Sequence, residues 1–336
     1  MDCQKLTNLY STLLEKEVKF RDFYVGLEKT DDKEEKKNFR FTCLETEKEI
    51  ESIIKELQSQ LVISIKQAKK IFDTLEREKE GKTNVFGPVE VEKAFGIKLK
   101  AETIPPIPFA KEELEQAEKL GQFLVLRVDT APDGQPLTME KMHELLSTKL
   151  TDKKGKRIKM FDRDDDKGKL KDNTWYKAED FYLKEKPNFA WALVSKEIIP
   201  DSTDKNYLEQ TKEAVKYLED EAFKGRPLPE EYREAIAEFR SLKDDEKRDK
   251  KKYEPKISKL NKLIRQSPAE NLYDIMIYYQ NNGERLLEKK WARTYASATD
   301  GGRVYVGDFD ADGVRVYSFS DNYSVPRLGV VFSRKS

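Results

Sequence analysis

Apolar residues recur along the first part of the chain on a seven-residue beat, at Leu6, Leu13, Phe20 and Leu27, with Tyr10 and Tyr24 between them. After a polar break at Thr30-Asp31-Asp32 the beat resumes at Ile54, Leu61, Ala68 and Leu75, beside Ile50, Leu57 and Ile71. Two such stripes joined by a short loop predict an antiparallel helical hairpin over residues 1–80. Its apolar seam either closes on itself or pairs with a second copy of the chain, giving a homo-oligomer through the N-terminal helices.

The middle of the chain reads differently. Ile104-Pro-Pro-Ile-Pro108 cannot be helical, and Val89–Phe95 is too short to assign. Lys111–Leu120 fits a helix, whereas Phe123–Val128 and Trp191–Ser195 are continuous apolar runs of strand length, as buried strands require. Helical patterns at Leu137–Leu150 and Trp175–Tyr182 lie between them, which predicts a small α+β module over 109–200. Asn206–Phe223 and Pro229–Leu242 read as amphipathic helices of a connector over 201–266, with Lys243–Lys252 a solvated mixed-charge run. Ser267-Pro-Ala-Glu270 is a capping box with proline in the first turn, so a helix starts there, turns Leu272, Ile275, Met276 and Tyr279 inward, and stops at Asn281-Asn-Gly283.

The last module, 267–336, is β-rich. In Arg303-Val-Tyr-Val-Gly307 and Gly313-Val-Arg-Val-Tyr-Ser-Phe319, a period of two puts Val304, Val306, Val314 and Val316 on a buried face and Arg303, Tyr305, Arg315, Tyr317 and Phe319 on an open one. From Ala292 to Arg334 there is no Lys, Glu, Gln, Met or Trp. A solvated strand face ordinarily carries Lys, Glu or Thr. This one carries Tyr, Arg and Phe, the types of binding hot spots, with adaptable Ser, Asn and Gly around them.

Composition narrows the function. The 64 basic and 64 acidic residues among 336 balance, against a general nucleic-acid binder. No apolar run is long enough to span a bilayer, and Met1-Asp-Cys-Gln-Lys5 lacks the core of a signal peptide, so a cytoplasmic protein without a membrane partner is expected. Cys3 and Cys43 are too few for a disulfide scaffold and read as thiols. His143 is the one histidine, which excludes a multi-His metal site; it is expected on a helix surface.

Asp308-Phe-Asp-Ala-Asp-Gly313 matches the first half of a calcium loop, but Phe319 stands where the closing Glu is needed. It reads instead as a hairpin turn in which Gly313 supplies a positive φ. Asp162–Gly168 has the carboxylates but a lysine in place of the loop glycine. No phosphate-cradling glycine loop occurs, and the charge of Lys153–Lys159 is offset by the neighbouring aspartates. The expectation is a protein that is not an enzyme, with no metal and no cofactor.

Leu272-Tyr-Asp274, Glu284-Arg-Leu-Leu287, Trp291, Asp300-Gly301, Val304–Asp310, Gly313–Val316 and Leu328–Arg334 resemble, in order, motifs of the variable proteins of diversity-generating retroelements. The resemblance covers about 65 C-terminal residues. It implies a C-type-lectin fold of the formylglycine-generating-enzyme type at the C-terminus; with the pieces read above, the expectation is an α+β chain with an N-terminal helical hairpin, a small α+β middle module and a C-terminal lectin-like β-rich module. It also accounts for the vocabulary: in that family adenines of AAC codons are miscopied, and codons ending in C never encode Lys, Glu, Gln, Met or Trp.

The ligand-binding positions the resemblance implies are Arg293, Tyr295, Ser297, Thr299, Arg303, Tyr305, Asp308, Asp310, Asp312, Arg315, Tyr317, Phe319, Asp321, Asn322, Tyr323, Ser324 and Arg327. The invariant scaffold would be Val304, Val306, Gly307, Gly313, Val314, Val316, Leu328, Gly329, Val330 and Phe332. The implied partner is a protein or glycan, since a wide shallow face does not suit a small metabolite. Two other readings stand beside it: an adaptor working through the N-terminal helices, and an enzyme on the same fold, although both cysteines lie outside the lectin-like segment.

Overall fold

The computed structural model describes residues 3–61, 63–152 and 154–335, and divides into two compact units that meet in sequence at Ile63 and Ser64. The first is the expected hairpin of α1 (Cys3–Lys29) and α2 (Lys33–Leu61). Asp32 starts α2, its Oδ1 accepting from the Glu34 and Glu35 amides at 2.9 Å each. Leu13, Phe20 and Leu27 are half-buried along the seam. The side chains of Leu6, Tyr10, Ile54, Leu57 and Leu61 lie outside the described residues.

The hairpin does not run on to residue 80. Ser64 and Gln67 form a capping box that starts a new helix, α3 (Ile65–Phe72), and Ala68 and Phe72 are buried in the second unit. Leu75, the next beat of the heptad, begins the short α4 (Leu75–Lys79) and is exposed. A local cap thus breaks a periodicity that continues in sequence but not in space.

Among the described residues the second unit contains two four-stranded sheets. In the first, β1 (Val85–Phe86) is parallel to β2 (Gln122–Arg127), while β3 (Ala190–Ser195) is antiparallel to β2, with Leu124 opposite Leu193. Both apolar runs are therefore strands, and β2 is buried along its whole length. Helices α5 (Pro88–Phe95), α6 (Lys111–Lys119), α7 (Met139–Leu146) and α8 (Asp180–Leu183) surround this sheet in sequence, the segment before α8 being a 3-10 turn over Trp175–Ala178. Next come α9 (Tyr207–Tyr217), which ends in a π turn at Leu218–Ala222, then α10 (Glu230–Arg240), α11 (Lys250–Ile264) and α12 (Pro268–Asn282).

The second sheet has the order β6-β5-β4-β7, from β4 (Trp291–Ser297), β5 (Arg303–Asp310), β6 (Gly313–Phe319) and β7 (Leu328–Gly329). The last strand, β8 (Ser333–Lys335), leaves this sheet and pairs with β3 of the first. Together with α12, which packs on β2, β4 and β5, it merges the three modules expected over 109–336 into one unit.

The capping box of α12 is present, with Ser267 Oγ accepting from the Glu270 amide at 3.0 Å, and Gly283 ends the helix at φ 63°. Leu272, Ile275, Met276 and Tyr279 point inward, but so does nearly every other residue of α12, because the helix has sheet or helix on all sides. Arg127 of β2 anchors it, bonded to both oxygens of Asp274 and 3.3 Å from Glu270, which also holds Lys335 at 2.8 Å. Among the described residues no helix is long and apolar enough to cross a membrane.

Candidate functional site

Strands β4, β5 and β6 are antiparallel, with Arg293 opposite Tyr305, Tyr305 opposite Tyr317, and Arg303 opposite Phe319. This register places Val304, Val306, Val314 and Val316 on the buried side, at 3 % exposure or less, as the alternation requires. Leu328, Val330 and Phe332 are buried as well. On the other side stands a row of aromatic rings. Trp291 lies 5.1 Å from Tyr317 (centroid to centroid), Tyr317 6.2 Å from Phe319, and Phe319 4.3 Å from Tyr323, with Tyr305 5.9 Å from Phe319.

The row is not open along its length. Arg293, Arg303 and Tyr305 are each 1 % exposed and Asp321 9 %, which corrects their assignment to a free face. The reason is a roof that sequence periodicity does not show: the irregular segment 320–327 folds back over β5, and Tyr253 and Glu254 of α11 close the side. Arg303 pairs with Asp321 through Nε and Nη2 at 3.1 and 3.0 Å and with Glu254 at 2.7 Å, while the Tyr253 hydroxyl donates to Asp321 at 2.7 Å. Burial works against the Asp321 charge, yet Arg303, Tyr253 and Lys250 outweigh it and hold that carboxyl below the usual carboxylate range.

The other implied positions fall in three groups. Phe319, Asn322, Ser324 and Arg327 are exposed and Tyr317 and Tyr323 half-buried, forming the open end of the row. At the β5–β6 turn, Arg315 Nη1 bonds Asp308 Oδ2 at 3.2 Å and Asp310 Oδ2 at 2.8 Å, and exposed Asp312 donates its amide to Asp310. Gly313 has φ 108°, the positive value the hairpin reading requires. At the opposite end, Ser297 and Thr299 are exposed, Thr299 bonded to Glu179, and Tyr295 is half-buried beneath Lys335. Among the described residues no group of three or more His, Cys, Asp or Glu side chains converges as a metal ion would need.

Trp291, the first residue of β4, belongs to the row as well, although the implied binding positions start at Arg293. Counting back by two from Arg293 reaches it. Tyr207, Tyr253, Glu254 and Arg265 also build the site, and nothing in their local sequence pointed there. His143 is likewise not on a surface. It is buried, its Nε2 2.8 Å from Asp164 Oδ1, and Asp164 Oδ2 accepts the Met160 and Phe161 amides at 3.1 and 3.0 Å. The turn so held bridges Phe161 to Val314, and Trp175 Nε1 donates to the Val316 carbonyl at 3.1 Å, so the outer edge of β6 is covered.

Chemically, the face offers stacked rings with hydroxyl, amide and guanidinium groups at the rim, held from below by the ion pairs of Arg303. No known family, curated protein or solved structure matches the chain.

Proposed function

We propose that the chain is a ligand-binding protein that works through the face of β4–β6 and the segment 320–327, and that this face is the variable surface of a diversity-generating retroelement protein on a C-type-lectin-type fold. The observation that carries the reading is the open end of the aromatic row. Tyr317 and Phe319 stand half-buried and exposed on a sheet whose other side is packed valine, and half-buried Tyr323 of the segment 320–327 stacks on Phe319, with Asn322, Ser324 and Arg327 beside them. Rigid rings on a fixed base with small polar neighbours give contact area at low ordering cost. The lectin-type fold is supported by an antiparallel β4-β5-β6 sheet packed on a helix and by a last strand that returns to an earlier sheet. The partner is a protein or glycan surface, and the reaction class is none: the protein binds.

The test is capture of partners by the full chain, compared with a variant carrying Tyr317→Ser, Phe319→Ser and Tyr323→Ser. Equal recovery by both would reject the face. A reverse transcriptase gene beside the coding DNA, with a near-copy of the final segment differing at adenines, would test the retroelement reading separately. A second reading, an adaptor acting through the hairpin, is favoured by one observation: Leu14, Val18, Phe41 and Leu44 are all exposed there. Recovery that needs residues 3–61 but not the three aromatic side chains would select it.

A further inference from the structure

Beneath the aromatic row lies a layer of buried charge that does not balance. Arg265 is 0 % exposed, and Arg293 and Arg303 1 % each. The three guanidiniums are stacked on tyrosines. The Tyr207 ring has Arg303 at 3.9 Å and Arg265 at 4.5 Å from its centroid, and Arg293 is 5.1 Å from that of Tyr305.

Only one of the three is neutralised. Arg303 takes Asp321 and Glu254, and Asp321 also has Lys250 at 3.5 Å. Among the described residues neither Arg265 nor Arg293 has a carboxylate within ion-pair distance. The layer therefore sets three buried cations, Arg265, Arg293 and Arg303, against buried Asp321 and the part-exposed Glu254, with Lys250 at the part-exposed edge.

Neutral groups answer part of this. Arg265 donates to Asn261 Oδ1 at 2.6 Å, to the Arg293 carbonyl at 3.2 Å and to Thr211 Oγ1 at 3.3 Å. These bonds satisfy its N–H groups but not its charge. Burial, and then the two neighbouring guanidiniums, pull Arg265 down to about 10. Arg293 is less well served. Its Nη2 donates to the Tyr323 carbonyl and reaches the Tyr305 hydroxyl at 3.4 Å, while its Nε and Nη1 are buried with no hydrogen bond. A buried guanidinium is stabilised only when charge and donors are both met, and a two-oxygen anion meets a guanidinium fork on both counts.

We infer that Arg293, backed by Arg265, is a binding site for an oxyanion, the carboxylate, sulfate or phosphate group of a ligand, admitted when residues 322–324 carry the Tyr323 carbonyl off the guanidinium while Asp321 stays paired with Arg303. The inference rests on the proposed role of the face only in naming where the anion comes from. It makes the ligand acidic, and it makes the tip of the roof around Tyr323 a movable part of the site.

The experiment is thermal melting of the full chain in acetate, sulfate and phosphate against chloride at matched ionic strength, which also ranks the three oxyanions. A saturable rise of roughly 2–4 °C in at least one of them over chloride is expected. In Arg293→Met that rise should vanish, and the variant should melt no lower than the parent in chloride, because an unpaired buried charge is gone. Arg293→Lys keeps the charge but loses the fork and should weaken the response at least several-fold. Equal melting in all four anions, or a response unchanged in either variant, overturns the site. Failure of partner capture with an intact anion response would count against the proposed function alone.

Discussion

Asp321 accepts from Arg303 through both of its oxygens, at 3.1 and 3.0 Å, and the pair ties the roof segment to the middle of β5. Removing Arg303 strands a buried carboxylate beside Tyr253. Arg303→Ala should therefore cost about 3–5 kcal/mol, read as a lowered midpoint in urea unfolding. The double variant with Asp321→Ala should recover part of the loss, since the stranded charge goes too. Additive losses would show that the pair does not act as a unit.

The same carboxylate sets an acid limit. Its folded pKa lies below the unfolded value of about 3.9. Its contribution is therefore complete above about pH 5 and is lost as the pH falls through the lower folded value. Urea midpoints measured from pH 6 down to pH 2 should fall for the parent in this window and fall less steeply for Asp321→Asn. Parallel curves would mean that other carboxylates carry the acid limb.

Tyr305 and Phe319 face each other at 5.9 Å on adjacent strands, yet one is 1 % exposed and the other 39 %. Tyr305→Ala should cost about 3 kcal/mol by leaving a cavity under the roof. Phe319→Ala should cost under about 1 kcal/mol. Thermal melts that rank them in reverse would show that the roof does not close over β5.

Gly313 and Gly134 both have positive φ, 108° and 83°, but only at Gly313 is the space taken: an added Cβ would stand 2.6 Å from the Phe161 carbonyl carbon. Alanine at 134 should cost about 1 kcal/mol for conformation alone. At 313 it should cost roughly 2–3 kcal/mol, because the turn that covers the β6 edge must also move. Similar costs would mean that this turn yields freely.

Several elements could be read from residues alone because their causes are local. The capping box at Ser267–Glu270 and its stop at Gly283, the apolar runs that became β2 and β3, and the valine alternation of β5 and β6 depend on neighbours within a few positions. The two-fold period correctly separated the faces of that sheet, since side-chain direction in a strand is a property of the backbone. It could not say what covers the second face. Arg303 and Tyr305 are buried by residues 320–327 and by α11, which arrive from outside the strand, and Arg303 sits there with its charge met by Asp321. The three modules expected over 109–336 became one for the same reason, through the pairing of β8 with β3, a contact between residues some 140 positions apart. Such long-range pairings leave no periodic trace in a chain, and they alone decide which of the residues suited to binding remain free to bind.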